Sequence, residues 1–188
     1  MTRRAELEEQ TRRRITESAV ALHEEVGPAR TSISSIAERA GVRRSTVYRH
    51  FPDEVALFDA CSSHWAAANP VPDMSPWPSI ADPDERLRTA LGELYGYYRR
   101  NERMLENLHR DEVTVPVVAE RFSAYHGYIA AARDLLMEGR AVRGGRRDRA
   151  RAAIGHALAF PTWLSLTRDQ GLDDDQAAEL MCRLAQQA

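Results

Sequence analysis

The chain has 188 residues, 43% of them hydrophobic and 29% charged, enough for one large domain or for a small and a medium one with separate cores. A formal net charge of −2 removes bulk electrostatics as a reason to bind nucleic acid, so such a partner would have to be met by a local patch. No run of eighteen apolar residues appears and MTRRAELEEQTRRR lacks the apolar centre of a secretion signal, which predicts a cytoplasmic protein with no membrane partner.

Helical periodicity begins at once. Ile15, Ala19, Leu22 and Val26 recur at helix spacing and Gly27-Pro28 follows, which predicts a first helix from about Ala5 to Val26. Ile33, Ile36, Ala37 and Ala40 form a second, shorter stripe, with Ser32 placed to cap it and Gly41 to end it in a left-handed turn. Val47 and Phe51 anchor a third helix. Asp53 can cap a fourth, whose apolar face carries Leu57, Phe58, Cys61 and Trp65.

Five of the nine prolines then crowd between Asn69 and Pro83, where no helix can continue. This divides the chain into a first domain, 1–68, a Pro-rich linker, 69–83, and a second domain, 84–188. The second is predicted to hold helices at about Asp84–Arg100, Asn101–Asp111, Val115–Glu138, Arg147–Asp169 and Asp173–Gln187, with no β-type alternation between them. The fold class is therefore all-α.

The stretch SISSIAERAGVRRSTVYRHF, Ser32 to Phe51, places two short helices about a glycine. A helix-turn-helix of this kind lays its second helix in the major groove of DNA while the first braces it. With Val47 and Phe51 turned inward, Arg44, Ser45, Tyr48 and Arg49 fall on or near the outer surface. Arg can address guanine bidentately, Ser and Thr several base edges, and Tyr or His a phosphate oxygen. The same pattern also fits a plain helical hairpin with solvated arginines, because residues 1–60 carry ten Arg against ten Asp or Glu.

Composite motifs add what spacing leaves open. Ile36-Ala37, Ala40-Gly41-Val42, Thr46-Val47-Tyr48 and His50-Phe51 stand in the order and spacing of the TetR (tetracycline-repressor-type) transcriptional regulators, and Ile15–Phe58 resembles their DNA-binding domain. The resemblance implies phosphate contacts for Ser32, Tyr48 and His50. It implies a base-facing set of Ser34, Arg44, Ser45, Thr46 and Arg49. Two positions depart from the family pattern. Arg43 replaces a serine that caps the recognition helix and joins the expected DNA contacts in exchange; Glu54 replaces a lysine that meets the phosphate backbone. Arg3, Arg4 and Arg12 to Arg14 read either as an arm reaching along DNA or as a frayed charged tail.

For the second domain the resemblance implies dimerisation through the last two helices and binding of a small-molecule effector. Ile154, Leu158, Leu166, Leu180, Met181 and Leu184 supply the dimer stripes. Tyr95, Tyr98, Met104, His109, Phe122, Tyr125, His126 and Trp163 supply ring faces and polar tips that could line a pocket or fill a core. Pro161 falls inside a helical pattern and should kink it. Six histidines without HxxxH or HExxH spacing and two cysteines outside any CxxC pattern give no metal site, no cofactor and isolated reduced thiols. The function expected is that of a homodimeric repressor released from a palindromic operator by a small molecule. A partner-controlled DNA-binding dimer is the alternative, and a helical enzyme, for which no nucleophile elbow or phosphate loop appears, the remote one.

Overall fold

The computed structural model describes residues 3–188; residues 1 and 2 of the expected first domain lie outside the described residues. Every regular element described is helical: α1 (Arg3–Glu25), α2 (Ile33–Arg39), α3 (Arg44–His50), α4 (Glu54–Ala68), α5 (Pro83–Asp111), α6 (Pro116–Leu136), α7 (Gly144–Ala157), α8 (Phe160–Leu164) and α9 (Asp174–Gln187). Contacts divide the chain into one unit of Met1–Pro70 with Glu102–Ser123 and another of Val71–Asn101 with Ala124–Ala188.

In the first unit, Ile15 and Ala19 of α1 meet Ile33, Ile36 and Ala37 of α2, Val47 of α3, and Leu57, Phe58 and Cys61 of α4. Val118 of α6 joins the same core. The last carbonyls of α1, which have no partner within the helix, are met by side chains from the end of α5. Asn107 Nδ2 donates to the His23 and Glu24 carbonyls at 3.0 and 2.8 Å, Arg103 to Glu25 at 3.2 Å and Arg110 to Val26 at 3.0 Å. Buried Asp111 completes the clamp by accepting the Ala29 N–H at 2.9 Å and Arg110 Nε at 2.7 Å. Gly27, at φ 90°, lets the chain pass beneath it, because a Cβ there would sit 2.1 Å from Arg110 Nη2 and 2.5 Å from Asp111 Oδ2.

In the second unit, Leu87, Leu91, Leu94, Tyr95 and Tyr98 of α5, Ala132 and Leu136 of α6, Ile154 of α7, Trp163 of α8 and Met181 of α9 are all buried. The expected linker contains the fully buried Trp77, whose indole N–H donates to Glu93 at 3.0 Å. Arg86 is also buried, and it is satisfied by carbonyls, that of Ile80 from Nε and Nη2 and that of Glu138 from Nη1.

Several expectations are corrected here. The two helices expected on either side of Arg100 are one helix, α5: Asn101 is buried and returns its amide to the Tyr97 carbonyl, so the polar RRNER run does not break it. The helix expected over Arg147–Asp169 is instead α7, a break at Leu158–Ala159, α8, and a π-helical turn, Ser165–Asp169. Pro161 does not kink a continuous helix; it sits in the first turn of α8, where its missing N–H costs nothing. The carbonyls the break leaves open are met by two phenols, Tyr95 Oη donating to Ala157 at 2.9 Å and Tyr98 Oη to Leu158 at 2.6 Å. Residues Arg3, Arg4 and Arg12 to Arg14 lie within α1, which begins at Arg3, so they are helical and do not form a frayed tail.

Candidate nucleic-acid interface

Local chemistry builds the hairpin. Ser32 Oγ accepts the Ser35 N–H at 3.1 Å while Ser35 Oγ accepts the Ser32 N–H at 3.0 Å, a reciprocal cap that starts α2. At its other end Gly41 takes φ 64° and the Val42 N–H returns to the Ala37 carbonyl at 2.9 Å, which turns the chain within three residues. No side chain caps α3: its N-cap, Arg43, makes no such bond. Asp53, by contrast, caps α4 by accepting the Ala56 N–H at 2.7 Å.

Burial then sorts the residues of α3. Val47 is buried, whereas Arg44, Ser45 and Arg49 are exposed and Tyr48 keeps 43% of its surface in solvent. Thr46 and His50 are half-buried, while Ser32, Ser34 and Arg43 are exposed on or beside α2 and the turn. Arg39 is tied to Glu25 by two 2.6 Å bonds, but Arg43, Arg44 and Arg49 have no ion pair among the described residues. Their charges therefore face water, available to an anionic partner. His50 is held below the usual histidine range by desolvation and then by the Arg49 and Arg12 charges, so it is neutral at pH 7. Its Nε2 is buried without a hydrogen-bond partner among the described residues.

One contributor escaped sequence reasoning. Arg12 of α1 donates from Nη1 to the His50 carbonyl at 2.7 Å and closes the end of α3. No local signal marks it, because the bond joins residues 38 positions apart.

The residues expected at an effector pocket divide between the units. Tyr95, Tyr98 and Trp163 are buried together in the second, with the Tyr98 and Trp163 ring centroids 5.8 Å apart. Half-buried Tyr125 joins them by donating its hydroxyl to Tyr98 Oη at 2.9 Å, and His126, on the exposed side, packs its ring against Tyr125. Met104, His109 and Phe122 belong to the first unit, where the His109 and Phe122 rings meet edge to face at 4.9 Å. Burial raises the phenols of Tyr95 and Tyr98 well above the usual tyrosine range, which keeps both protonated as donors. Trp163 Nε1 donates to Asp174 at 2.9 Å.

Of the residues expected at a dimer surface, Ile154 and Leu158 are fully buried in their own unit and Met181 nearly so. Leu166 is half-buried, while Leu180 and Leu184, one turn apart on α9, each keep 45% exposure.

A reciprocally capped brace, a left-handed glycine turn and a second helix with an arginine-bearing outer face define a helix-turn-helix DNA-binding domain. Residues 15–61 match the family model described as bacterial regulatory proteins, tetR family. A TetR-like transcriptional regulator from Rhodococcus sp. RHA1 shares the fold over 94% of each chain, at 20% identity and a TM-score of 0.64. A tetR-family transcriptional regulator from Streptomyces coelicolor matches 95% of this chain and 78% of its own at 21% identity, TM-score 0.53. The multidrug binding protein EbrR, complexed with imidazole, matches 93% of this chain and 89% of its own at 18% identity, TM-score 0.54. No protein of curated function matches the chain. The chain as a whole thus has the fold of these solved structures. Among the described residues no helix is long and apolar enough to cross a membrane.

Proposed function

We propose that the protein is a cytoplasmic homodimeric repressor that reads a palindromic DNA operator with α3 and leaves it when a small molecule binds the second unit. The outward set Arg44, Ser45, Tyr48 and Arg49, with Val47 buried beneath it, carries this reading. Arg44 and Arg49 address base edges together with Ser34, Ser45 and Thr46; Ser32, Tyr48 and His50 hold phosphates, and Arg43 reaches the same strand. One seven-residue helix contacts too few base pairs for useful affinity, so two copies read half-sites roughly 34 Å or a multiple apart. Leu180 and Leu184 supply the exposed apolar surface through which the copies meet. Effector binding favours a dimer geometry in which the two α3 helices no longer match successive grooves. The protein acts as a regulator and not as a catalyst.

Selection of bound sequences from random duplex DNA, followed by a salt series on the best site, tests the operator reading. A palindromic site with a steep salt slope, and lost base discrimination in Arg44→Ala, is the expected result. Failure to enrich any site overturns it.

One observation favours a second reading, a DNA-binding dimer controlled by a partner and not by an effector. The hydroxyls of Tyr95 and Tyr98 are spent on the Ala157 and Leu158 carbonyls, so these rings serve the core of their own unit. An operator affinity that no small molecule alters would select this version.

A further inference from the structure

The first unit contains a cavity of about 110 Å³ that the operator-reading residues do not use. Its apolar lining comes from Ile33 and Ile36 of α2, Leu57 and Phe58 of α4, Val115 just before α6 and Val117 in the first turn of α6. Three polar side chains reach it: His23, Thr31 and Glu54. The pocket is partly open to solvent, and a hydrocarbon body seated in it would exchange water for contact with these side chains.

The polar groups select the occupant. The Thr31 hydroxyl already gives its proton to the Gly27 carbonyl at 2.8 Å, so it offers only lone pairs. The His23 ring is neutral at pH 7, its pKa lowered to about 4 by burial, and puts no positive charge into the cavity. Glu54 is exposed at the rim, and its carboxylate has no hydrogen bond or ion pair among the described residues. It is also the acid standing where the TetR pattern has a lysine. A rim on which Thr31 and Glu54 offer acceptors and Glu54 a negative charge, above a largely apolar floor, fits a ligand with a compact hydrocarbon body and a positively charged donor head. An engineered apolar cavity of ~150 Å³ admits benzene; 110 Å³ suits a slightly smaller body, such as a branched alkyl group.

We propose that this cavity is a binding site for compact alkylammonium ions, the alkyl body lying against Ile36 and Phe58 and the ammonium against Glu54. The site lies wholly within the DNA-binding unit and is separate from the effector site proposed for the second unit.

The test titrates isopentylammonium, and isopentyl alcohol as its neutral isostere, into the full chain carrying ¹³C-labelled isoleucine methyls, without DNA. The expected result is saturable shifts at Ile33 and Ile36 and none at Ile154. Glu54→Gln should weaken the ammonium ~10-fold and leave the alcohol unchanged, since only the charged head meets the carboxylate. Val117→Phe, which fills the cavity, should abolish both. Absence of saturable shifts at Ile33 and Ile36, or equal ammonium affinity in Glu54→Gln, overturns the proposal. Should Val117→Phe fail to fold, the Glu54→Gln comparison still decides. Because no operator is present, the outcome is independent of the DNA-binding reading.

Discussion

The guanidinium of Arg12 lies over the ring of Phe51, its central carbon 4.3 Å from the ring centroid. The same side chain binds the His50 carbonyl, so one arginine on α1 fixes both the last residue of α3 and the aromatic anchor that follows it. Arg12→Ala should destabilise the protein by about 1–2 kcal/mol, the combined scale of a charge-assisted bond and a partly exposed cation–π contact. Operator affinity should fall with it although Arg12 touches no base in this scheme. Urea denaturation and operator titration on the same samples check both effects; unchanged stability would refute the role.

Arg43 occupies the N-cap of α3 at φ −79°, ψ 151°, a backbone geometry in which a serine would cap well. Arg43→Ser should therefore raise stability by ~1 kcal/mol. It should also weaken operator binding and flatten its salt dependence, since one phosphate contact contributes about one unit of slope. Opposite movement of stability and affinity is the diagnostic; a gain in both would show that Arg43 meets no DNA.

His23 sets a pH limit on the first unit. Its ring packs 5.4 Å from Phe58 and its Nδ1 is 3.6 Å from Cys61 Sγ. Burial lowers its pKa from 6.5 to about 4, with the Asp111 charge opposing, while burial pushes the Cys61 thiol up to about 12. A folded-state pKa below the unfolded one means that the stabilisation is fully present above pH 6.5 and is lost as pH falls towards 4. The loss should be on the order of 3 kcal/mol. Chemical denaturation at stepped pH should show it, and His23→Gln should flatten that part of the profile.

Tyr98 links Tyr125 Oη to the Leu158 carbonyl through its own hydroxyl. Tyr98→Phe strips the donor from a buried carbonyl at the α7–α8 break and should cost about 1–3 kcal/mol. Calorimetry measures the loss. A neutral substitution would mean that water replaces the phenol, and hence that the core is open there.

The exposed pair Leu180 and Leu184 predicts the fate of the proposed dimer. Replacing both by glutamate leaves the core side of α9, which carries Ala177, Ala178 and Met181, untouched. The double variant should run as a folded monomer in light scattering, with operator affinity reduced by orders of magnitude through lost bivalency. A dimer that survives the charge would place the interface elsewhere.

What the sequence disclosed follows the range of the interactions. Ser32, Gly41 and Asp53 announced the ends of α2 and the start of α4 because each acts on backbone within five residues of itself. The inward position of Val47 followed from helix periodicity alone. The long α5 was hidden because the polar run at Arg100–Asn101 reads as a break, whereas Asn101 is buried in the helix with its amide on the Tyr97 carbonyl. The stop after Ala157 was misread for the same reason: the proline was visible, but the phenols that satisfy the freed carbonyls come from about sixty residues earlier. The clamp of Asn107, Arg110 and Asp111 on the end of α1 joins residues more than eighty positions apart and leaves no trace in any local pattern.

That clamp also dictates when the DNA-reading half can be finished during synthesis. Residues through Pro70 leave the ribosome with α1 to α4 complete in sequence, yet the groups that close α1 arrive only with Glu102–Asp111 and the core valine only at Val118. At a translation rate of ~5–20 residues per second, the nascent hairpin waits several seconds with its far wall missing. A chain released early, or cut at the Pro-rich segment, would present the recognition helix on a core that lacks Val118 and the groups that close α1.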